Sequence, residues 1–257
     1  MAEISEGRRI LARRMALFAL LFSLTAPLLI FFAAVLTKMD VIDAQVGFDL
    51  LTVSVSPKLA ILGLASSILI LLLTLFLCPT RAGWVALGAA VLSGFTVGGF
   101  ALYQSLLLAS PPVSDVATRW APALSYSRES LAMRRRGDIQ PEEAPFVPRT
   151  APLQWSGRSV ADINAETCPG LTSVTGMKNH HKVAEVLQAE KWTVTGRSPW
   201  RVEGRYETFW FGLSSDVVIE MRNGRTDLRI TSVEAVPDLG RNCRLARSLL
   251  AELRKLP

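Results

Sequence analysis

The sequence lacks the short motifs that mark most hydrolases and nucleotide-binding proteins. It has no Gly-x-Ser-x-Gly elbow, no His-Glu-x-x-His zinc motif, no phosphate-binding loop and no dinucleotide-binding glycine pattern. Its only two histidines, His180 and His181, are adjacent. Adjacent histidines diverge on a helix, only one could share a face with Glu185, and no third ligand is visible. We therefore expect no metal, no cofactor, no catalytic residues and no enzymatic activity.

Strong charge of one sign is also missing. The net charge of +6 divides into +2 through Ala109 and +4 beyond it, and both signs are interspersed along the second part. A nucleic-acid-binding protein would concentrate lysine and arginine on one face. We predict that the chain binds no nucleic acid. A modest basic surplus remains compatible with anionic lipid head groups or an acidic protein partner.

Charge is absent altogether from three long stretches, Met15–Leu36, Leu59–Leu77 and Trp84–Leu108. As a helix the first would be about 33 Å long, enough to cross the hydrocarbon core of a bilayer. It exceeds a signal-peptide core in length and lacks a clear small-x-small cleavage site, so we expect an uncleaved anchor. The sequence thus predicts a short N-terminus, 1–14, followed by a three-helix transmembrane domain, 15–109.

Positive charge flanking the apolar stretches sets the expected orientation. Arg81 lies in the tight loop between the second and third stretches, and four arginines precede the first: Arg8, Arg9, Arg13 and Arg14. The loop Thr37–Lys58 is more acidic and belongs on the opposite side. We expect a bacterial inner-membrane protein with a cytoplasmic N-terminus and residues 110–257 in the periplasm. Within the loop, Val46–Val55 is expected to form a short helix at the interface or against the soluble domain.

Small residues recur along one side of the third stretch, at Ala90, Gly94 and Gly98. This small-xxx-small spacing lets another helix approach closely. Either a second copy of the chain or the first or second helix of the same chain could occupy that side. We favour packing within the chain.

Beyond the membrane stretches, Trp200–Ala235 has the alternation of a β-sheet. Trp200, Val202, Gly204, Tyr206, Thr208 and Trp210 fall on one face of the first strand. Arg201, Glu203, Arg205 and Glu207 fall on the other face, which we expect to be solvent-exposed with ion pairs across strands. The dipeptide Asn223-Gly224 then predicts a tight hairpin.

Two helices flank these strands in sequence. Asn179 can cap a helix over about His180–Lys191, and a final helix near Asn242–Leu256 has an apolar face. Val113–Thr118 is a candidate edge strand, and the proline-rich stretch Asp138–Arg158 is expected to cross the sheet as an extended strap. Residues 110–257 are therefore predicted to form an α+β domain, an antiparallel sheet with two helices packed on one face.

Two sets of residues are candidates for binding. Trp200, Tyr206 and Trp210, with Phe209 and Phe211, either line a groove between sheet and helices or belong to the core, and the core is favoured. A possible helix over Ser125–Arg136 ends in Arg134, Arg135 and Arg136, which could bind lipid phosphate or could equally be a solvated helix end. Separately, Cys168 and Cys243 are candidates for a structural disulfide, and Cys78 would remain a single thiol.

Several ordered motifs resemble one bacterial family. They are Val113-Ser114-Asp115-Val116-Ala117-Thr118, Phe209-Trp210-Phe211-Gly212, Asp216-Val217-Val218-Ile219, Arg229-Ile230-Thr231-Ser232-Val233 and Asp238-Leu239-Gly240-Arg241-Asn242. Together they resemble Domain of Unknown Function fourteen-ninety-nine, over about the last 145 residues. The resemblance implies a domain that often follows membrane helices, and it implies no activity. Arg134–Arg136 and the proline strap depart from the family pattern.

These observations lead to two main hypotheses. The first is a non-enzymatic accessory subunit or assembly factor of a membrane complex, whose periplasmic domain binds a membrane-protein partner or a second copy of the chain. The alternative is a periplasmic domain that binds membrane lipid or another apolar ligand through the aromatic face and nearby arginines. A hydrolase using Asp216 or His181 is a weaker third possibility.

Overall fold

The structure is a computed structural model that describes residues 6–77, 81–135, 137–143 and 145–257. It contains two compact units, Met1–Leu106 and Leu107–Pro257.

The N-terminal unit is helical. Helix α1 spans Glu6–Lys38, α2 spans Ser56–Leu77 and α3 spans Arg81–Ala109. Three segments, Glu6–Lys38, Gln45–Phe76 and Ala82–Ala109, are long and apolar enough to cross a membrane. The three predicted stretches coincide with these segments, apart from Leu77, which is one residue beyond the second, and this confirms that the chain carries three candidate membrane helices.

The connection between α1 and α2 differs from its prediction in one respect. Gln45–Val55 is helical, as expected for this region, but it is a π-helix that continues directly into α2 at Ser56. The hydroxyls of Thr52 and Ser56 donate to the carbonyls five residues earlier, those of Gly47 and Leu51. These bonds match the wider π-helical repeat. The segment packs against α1 and α2 of its own unit rather than standing as a separate interfacial helix.

Small residues bring the three helices together, though not at the predicted positions. A Cβ atom placed on Gly63 of α2 would lie 3.2 Å from Ser93 Oγ of α3 and 3.5 Å from Ser23 Cα of α1. The buried packing faces of α1 and α3 are mostly alanine: Ala12, Ala16, Ala19, Ala82, Ala86 and Ala89. By contrast, a Cβ on Gly94 or Gly98 would meet no described atom within 4 Å. The favoured packing of these two glycines within the chain is therefore wrong for the described residues, because α3 turns its alanine face inward instead.

The C-terminal unit contains an antiparallel sheet. Its strands are β1 Asp115–Ala117, β2 Val174–Thr175, β3 Thr193–Ser198, β4 Arg201–Glu207, β5 Ser214–Arg222 and β6 Arg225–Ser232. The order is β1-β6-β5-β4-β3, and β2 also pairs with β6. Between β5 and β6, Asn223 and Gly224 have φ angles of 54° and 72°, as a type I′ turn requires.

Helices cover one face of this sheet, as predicted. They are α6 His180–Ala189 and α7 Arg241–Lys255, whereas the shorter α5 Val160–Thr167 packs beside the edge strand β1 and α4 Arg128–Ala132 belongs to a segment over the other face. Residues of α6 and α7 form the main core with the inward side chains of the sheet; among the fully buried ones are Val183, Leu187, Leu249, Leu253, Val202, Val217, Ile219 and Ile230. The α+β class, with three long apolar helices ahead of it, is confirmed.

The opposite face of the sheet is covered too, contrary to the predicted solvent-exposed face. Glu203 is only 2% exposed and accepts hydrogen bonds from the backbone and hydroxyl of Ser127. The segment carrying Leu124, Tyr126 and α4 lies over this face, and Val218 packs against Leu124. Within 125–135, the described part of the predicted helix Ser125–Arg136, only Arg128–Ala132 is helical. Glu203 is thus buried with its hydrogen-bond partners and Arg205 pairs with the buried Asp216 at 2.7 Å, whereas Glu207 is exposed.

The proline-rich stretch behaves largely as expected. In its described part, residues 138–143 and 145–158 contain no helix or strand beyond a single bridge between Phe146 and Ser159. Val147 and Trp155 anchor it in a second apolar cluster with Val160 and Ile163 of α5. The strap is therefore held at this point by its own small core.

Candidate functional site

The loop between β4 and β5 carries the family-like run Phe209-Trp210-Phe211-Gly212. Strand β4 ends at Glu207, so the alternation predicted through Trp210 stops three residues early. The loop is closed by backbone bonds: the Thr208 N–H donates to the Leu213 carbonyl at 2.9 Å, and the Gly212 N–H donates to that of Trp210 at 2.6 Å. The Thr208 hydroxyl also donates to the Trp210 carbonyl at 2.6 Å. The loop is thus a tight, self-bonded turn.

Two consecutive left-handed residues shape this turn. Phe211 has φ 57° and Gly212 has φ 64°. A bulky residue rarely adopts positive φ, which costs on the order of 1–3 kcal/mol and persists only where the surroundings enforce it. The surroundings here are the bonds just described, and the strained backbone turns the preceding two aromatics outward.

Phe209 and Trp210 form what we term the aromatic tip. Phe209 is 75% exposed and Trp210 is 60% exposed. Their rings meet edge to face with centroids 5.2 Å apart, so each limits the motion of the other. Large exposed aromatics held in a fixed geometry are typical of binding surfaces.

The base of the loop is fixed by Glu234. The Ser214 N–H, at the start of β5, donates to Glu234 Oε2 at 2.7 Å, and the Val233 N–H donates to the Ser214 carbonyl at 3.0 Å. Burial raises the pKa of the Glu234 carboxyl, and nearby Asp138 acts in the same direction, while Ser214 and Arg241 oppose the shift. Glu234 therefore couples the loop to the end of β6.

Beside this base lies a buried polar group that we term the Asn242 cluster. The Asn242 side-chain amide donates to the Ser114 carbonyl and to Ser232 Oγ, at 2.8 and 2.9 Å. Its carbonyl oxygen accepts from Ser215 Oγ at 2.8 Å. The amide thus ties the first turn of α7 to the segment before β1, the start of β5 and the end of β6.

Arg241 adds a cation to the Asn242 cluster. Its Nη2 lies 3.2 Å from Ser215 Oγ and 3.5 Å from Ser232 Oγ, and burial lowers the pKa of its guanidinium. Asp238 caps the same helix by accepting from the N–H groups of Gly240 and Asn242. Burial raises the pKa of Asp238 as well. The arrangement holds α7 on the sheet. It also places the positively charged Arg241 guanidinium beside the hydroxyls of Ser215 and Ser232.

The predicted arginine cluster is not a surface patch. Arg134 is 8% exposed and forms an ion pair with Asp216, with Nη2 and Oδ2 2.9 Å apart. It also donates to the carbonyls of Ile139 and Ser232. Arg135 is exposed, and Arg136 lies outside the described residues. A lipid-phosphate site made of all three is therefore wrong, because Arg134 is buried by its bonds to Asp216, Ile139 and Ser232.

The three predicted aromatics are likewise separated. Trp200 precedes β4 and lies 5.5 Å from the Arg222 guanidinium, whereas Trp210 lies beyond the other end of the strand. Tyr206 packs against Trp192 at the edge of the main core, with ring centroids 5.4 Å apart. Hence the favoured core assignment holds for Tyr206 alone, and no common groove joins the three.

The remaining predicted residues are a cysteine pair and two histidines. Cys168, at the end of α5, and Cys243, in the first turn of α7, form the anticipated disulfide with Cα atoms 5.8 Å apart. Cys78 lies outside the described residues. His180 and His181 are in the first turn of α6, with rings 4.1 Å apart. Among the described residues, no group of three histidine, cysteine or acidic side chains is placed to hold a metal ion.

Residues 144–253 match the model of a family described as "Protein of unknown function (DUF1499)". The C-terminal part of the chain is therefore similar to DUF1499. This confirms the resemblance inferred from the sequence. No curated protein matches the chain.

The DUF1499 match covers the aromatic tip, Glu234 and Arg241, while Ser114 precedes it. Sequence reasoning did not single out Ser215, Ser232, Arg241 or Asn242 as a group. The available signal was that the quoted motifs contain Ser232, Arg241 and Asn242, and that another begins at Asp216, next to Ser215. Only the fold shows that these motif ends meet at one end of the sheet.

Proposed function

We propose that this chain is a non-enzymatic accessory subunit or assembly factor of a bacterial inner-membrane complex, and that its DUF1499 domain binds an integral-membrane protein. The observation that carries the proposal is the aromatic tip. Phe209 and Trp210 are both more than half exposed on a loop whose backbone is fixed from Thr208 to Ser214. Rigid exposed aromatics lose little entropy on binding and often supply most of the binding energy.

Three candidate membrane helices in the same chain suggest where the partner is. A tethered domain meets membrane-bound proteins at a much higher effective concentration than free ones. The disulfide between Cys168 and Cys243 is in keeping with an oxidising compartment, and so supports a periplasmic position for the domain.

Contacts in the Asn242 cluster support a binding role over a catalytic one. Ser215 Oγ donates to an amide oxygen, and Asn242 itself is fully buried, so neither is poised as a nucleophile with an adjacent base. Both histidines of the sequence lie in α6, where His181 Nδ1 is 3.3 Å from Arg197 Nη1. We infer that the Asn242 cluster has a structural role and stabilises the base of the loop between β4 and β5.

The proposal is tested by photo-crosslinking full-length protein in bacterial membranes. A photoreactive phenylalanine at Phe209 is expected to capture one integral-membrane protein. The Trp210→Ala variant should lose that product, whereas Trp200→Ala should keep it, because Trp200 is a comparably exposed tryptophan at the other end of β4. Loss with both variants, or capture of lipid alone from Phe209, would contradict a protein-binding tip.

A further inference from the structure

A groove lies within the N-terminal helical unit, separate from the DUF1499 domain. It has a volume of about 310 Å³. One wall is formed by Val53, Pro57 and Ile61, along the junction of the π-helix with α2. The other wall belongs to α3 and consists of Val97, Phe100, Ala101, Tyr103 and Gln104. Most of this lining is aliphatic or aromatic, and Tyr103 and Gln104 supply polar groups at one end.

The position of that polar end follows from helix geometry. Tyr103 is 22 residues beyond Arg81, the first residue of α3, which corresponds to about 33 Å along the helix. This distance is close to the thickness of a bilayer core, so Tyr103 and Gln104 reach the boundary opposite Arg81. Lys58, exposed beside Pro57, belongs to the same level. The groove therefore runs from a head-group region into the hydrocarbon core.

One carboxylate, that of Asp49, lies near the head-group end of the groove. Asp49 lies one turn before Val53 in the π-helix and interacts electrostatically with Tyr103. The rings of Phe48 and Tyr103 meet edge to face, 6.2 Å between centroids, and join the two walls there. Pro57 has no N–H to give to the carbonyl one turn earlier, so the backbone beside the groove has one donor fewer. A ligand with several N–H donors and a positive charge suits this end.

We propose that the groove binds a phospholipid with a primary ammonium head group, such as phosphatidylethanolamine. Its ammonium donates to Asp49, its phosphate lies toward Lys58, and one acyl chain fills the apolar part of the groove. A choline head group carries the same charge but has no N–H, and a glycerol head group has hydroxyls but no cation.

The test uses full-length protein in mixed micelles that contain equal amounts of phosphatidylethanolamine, phosphatidylcholine and phosphatidylglycerol. Native mass spectrometry then counts the lipids that stay bound. We expect one retained lipid, with phosphatidylethanolamine about fivefold or more above phosphatidylcholine, since the discriminating contacts are charge-assisted hydrogen bonds. Asp49→Asn should bring that ratio close to one without loss of the acyl contact.

Two substitutions on α3 locate the site. Ala101→Trp fills the groove and should abolish the retained lipid, whereas Val91→Trp, at a half-exposed position away from the groove, should leave it. Equal retention of ethanolamine and choline lipids by the wild type would overturn the proposal. So would a preference for phosphatidylglycerol, or unchanged retention in Ala101→Trp. A variant that fails to fold is recognised by aggregation on size exclusion, and the Asp49→Asn ratio then decides.

Discussion

Arg229 and Asp115 form an ion pair inside the C-terminal unit, with side chains only 2% and 8% exposed. Arg229 Nε donates to Asp115 Oδ1 at 3.0 Å, and its Nη1 donates to the Leu124 carbonyl at 2.8 Å. The pair therefore joins the edge strand β1, the central strand β6 and the covering segment. Burial raises the pKa of Asp115, although the hydrogen bonds from Arg229 and Thr231 oppose that shift.

Breaking this pair should destabilise the domain strongly. Arg229→Met leaves Asp115 buried without its cation, and such a loss costs about 3–5 kcal/mol. The free energy of unfolding, from denaturant titration of the full-length protein followed by tryptophan fluorescence, measures it. Glu166→Gln is the matched control, because its pair with Arg158 is largely exposed and is worth about 0–1 kcal/mol. Equal effects of the two variants would contradict the assigned role of the buried pair.

The disulfide should contribute comparably. Cys168 and Cys243 are 75 residues apart, and a closed loop of that length is worth about 4 kcal/mol in the chain-entropy model. The double change Cys168→Ser and Cys243→Ser should therefore lower the free energy of unfolding by several kcal/mol, whereas Cys78→Ser should not. In cells, thiol labelling should reach Cys168 only after reduction if the domain is periplasmic. Labelling without reductant would contradict that location.

Glu234 should give the domain a stability that falls as the pH rises. Its pKa is raised in the folded state, so over the window from the ordinary glutamate pKa to the raised one the folded protein binds more protons than the unfolded protein. The contribution is thus full below the ordinary pKa and is lost as the pH rises through the folded value. Relative to Glu234→Gln, the wild type should lose unfolding free energy as the pH rises above the ordinary glutamate pKa. A difference that is constant or grows with pH would contradict the raised pKa.

Arg134 should control access to the covered sheet face. Arg134→Ala removes the bonds to Asp216 and to the carbonyls of Ile139 and Ser232. We expect hydrogen exchange in residues 119–135 to accelerate at least tenfold, because each lost buried bond costs about 1–3 kcal/mol of local stability. The neighbouring Arg135→Ala, at an exposed position, is the control. Identical exchange in both variants would show that Arg134 does not hold the segment.

The elements that the sequence predicts well depend on local chemistry. Asn223-Gly224 forms its hairpin because two positive φ angles are needed within two residues. Asn179 caps α6 through its own side chain, which accepts from the His181 N–H at 2.8 Å. Period-two alternation likewise puts Val202 and Glu203 of β4 on opposite faces of the sheet, Val202 in the main core and Glu203 against Ser127. Each of these signals is complete within a few residues.

What the sequence does not show depends on contacts between distant residues. Ser127 binds Glu203, 76 positions away, and Tyr126 donates to the Asp216 carbonyl, 90 positions away. No periodicity in the sequence links such distant positions. The charged face of β4 was therefore predicted to be solvent-exposed, although the segment that carries Tyr126 and Ser127 covers it. The candidate site was mispredicted in the same way. Alternation predicts that Trp210 lies on a strand, but β4 ends at Glu207 and Trp210 lies in the loop that contains the positive φ of Phe211.

Helix packing in the N-terminal unit gives the last prediction. Gly63→Leu should disrupt the unit, because even a Cβ there meets Ser93 Oγ at 3.2 Å and Ser23 Cα at 3.5 Å, and the rest of a leucine has no space. Gly94→Leu enlarges a residue of α3 where no described atom lies within 4 Å, so the monomer should tolerate it. Thermal aggregation of the full-length protein in mild detergent separates the two, with a lower midpoint for Gly63→Leu alone. If Gly94→Leu instead shifts the protein to a smaller species on size exclusion, the exposed glycines of α3 hold two copies of the chain together.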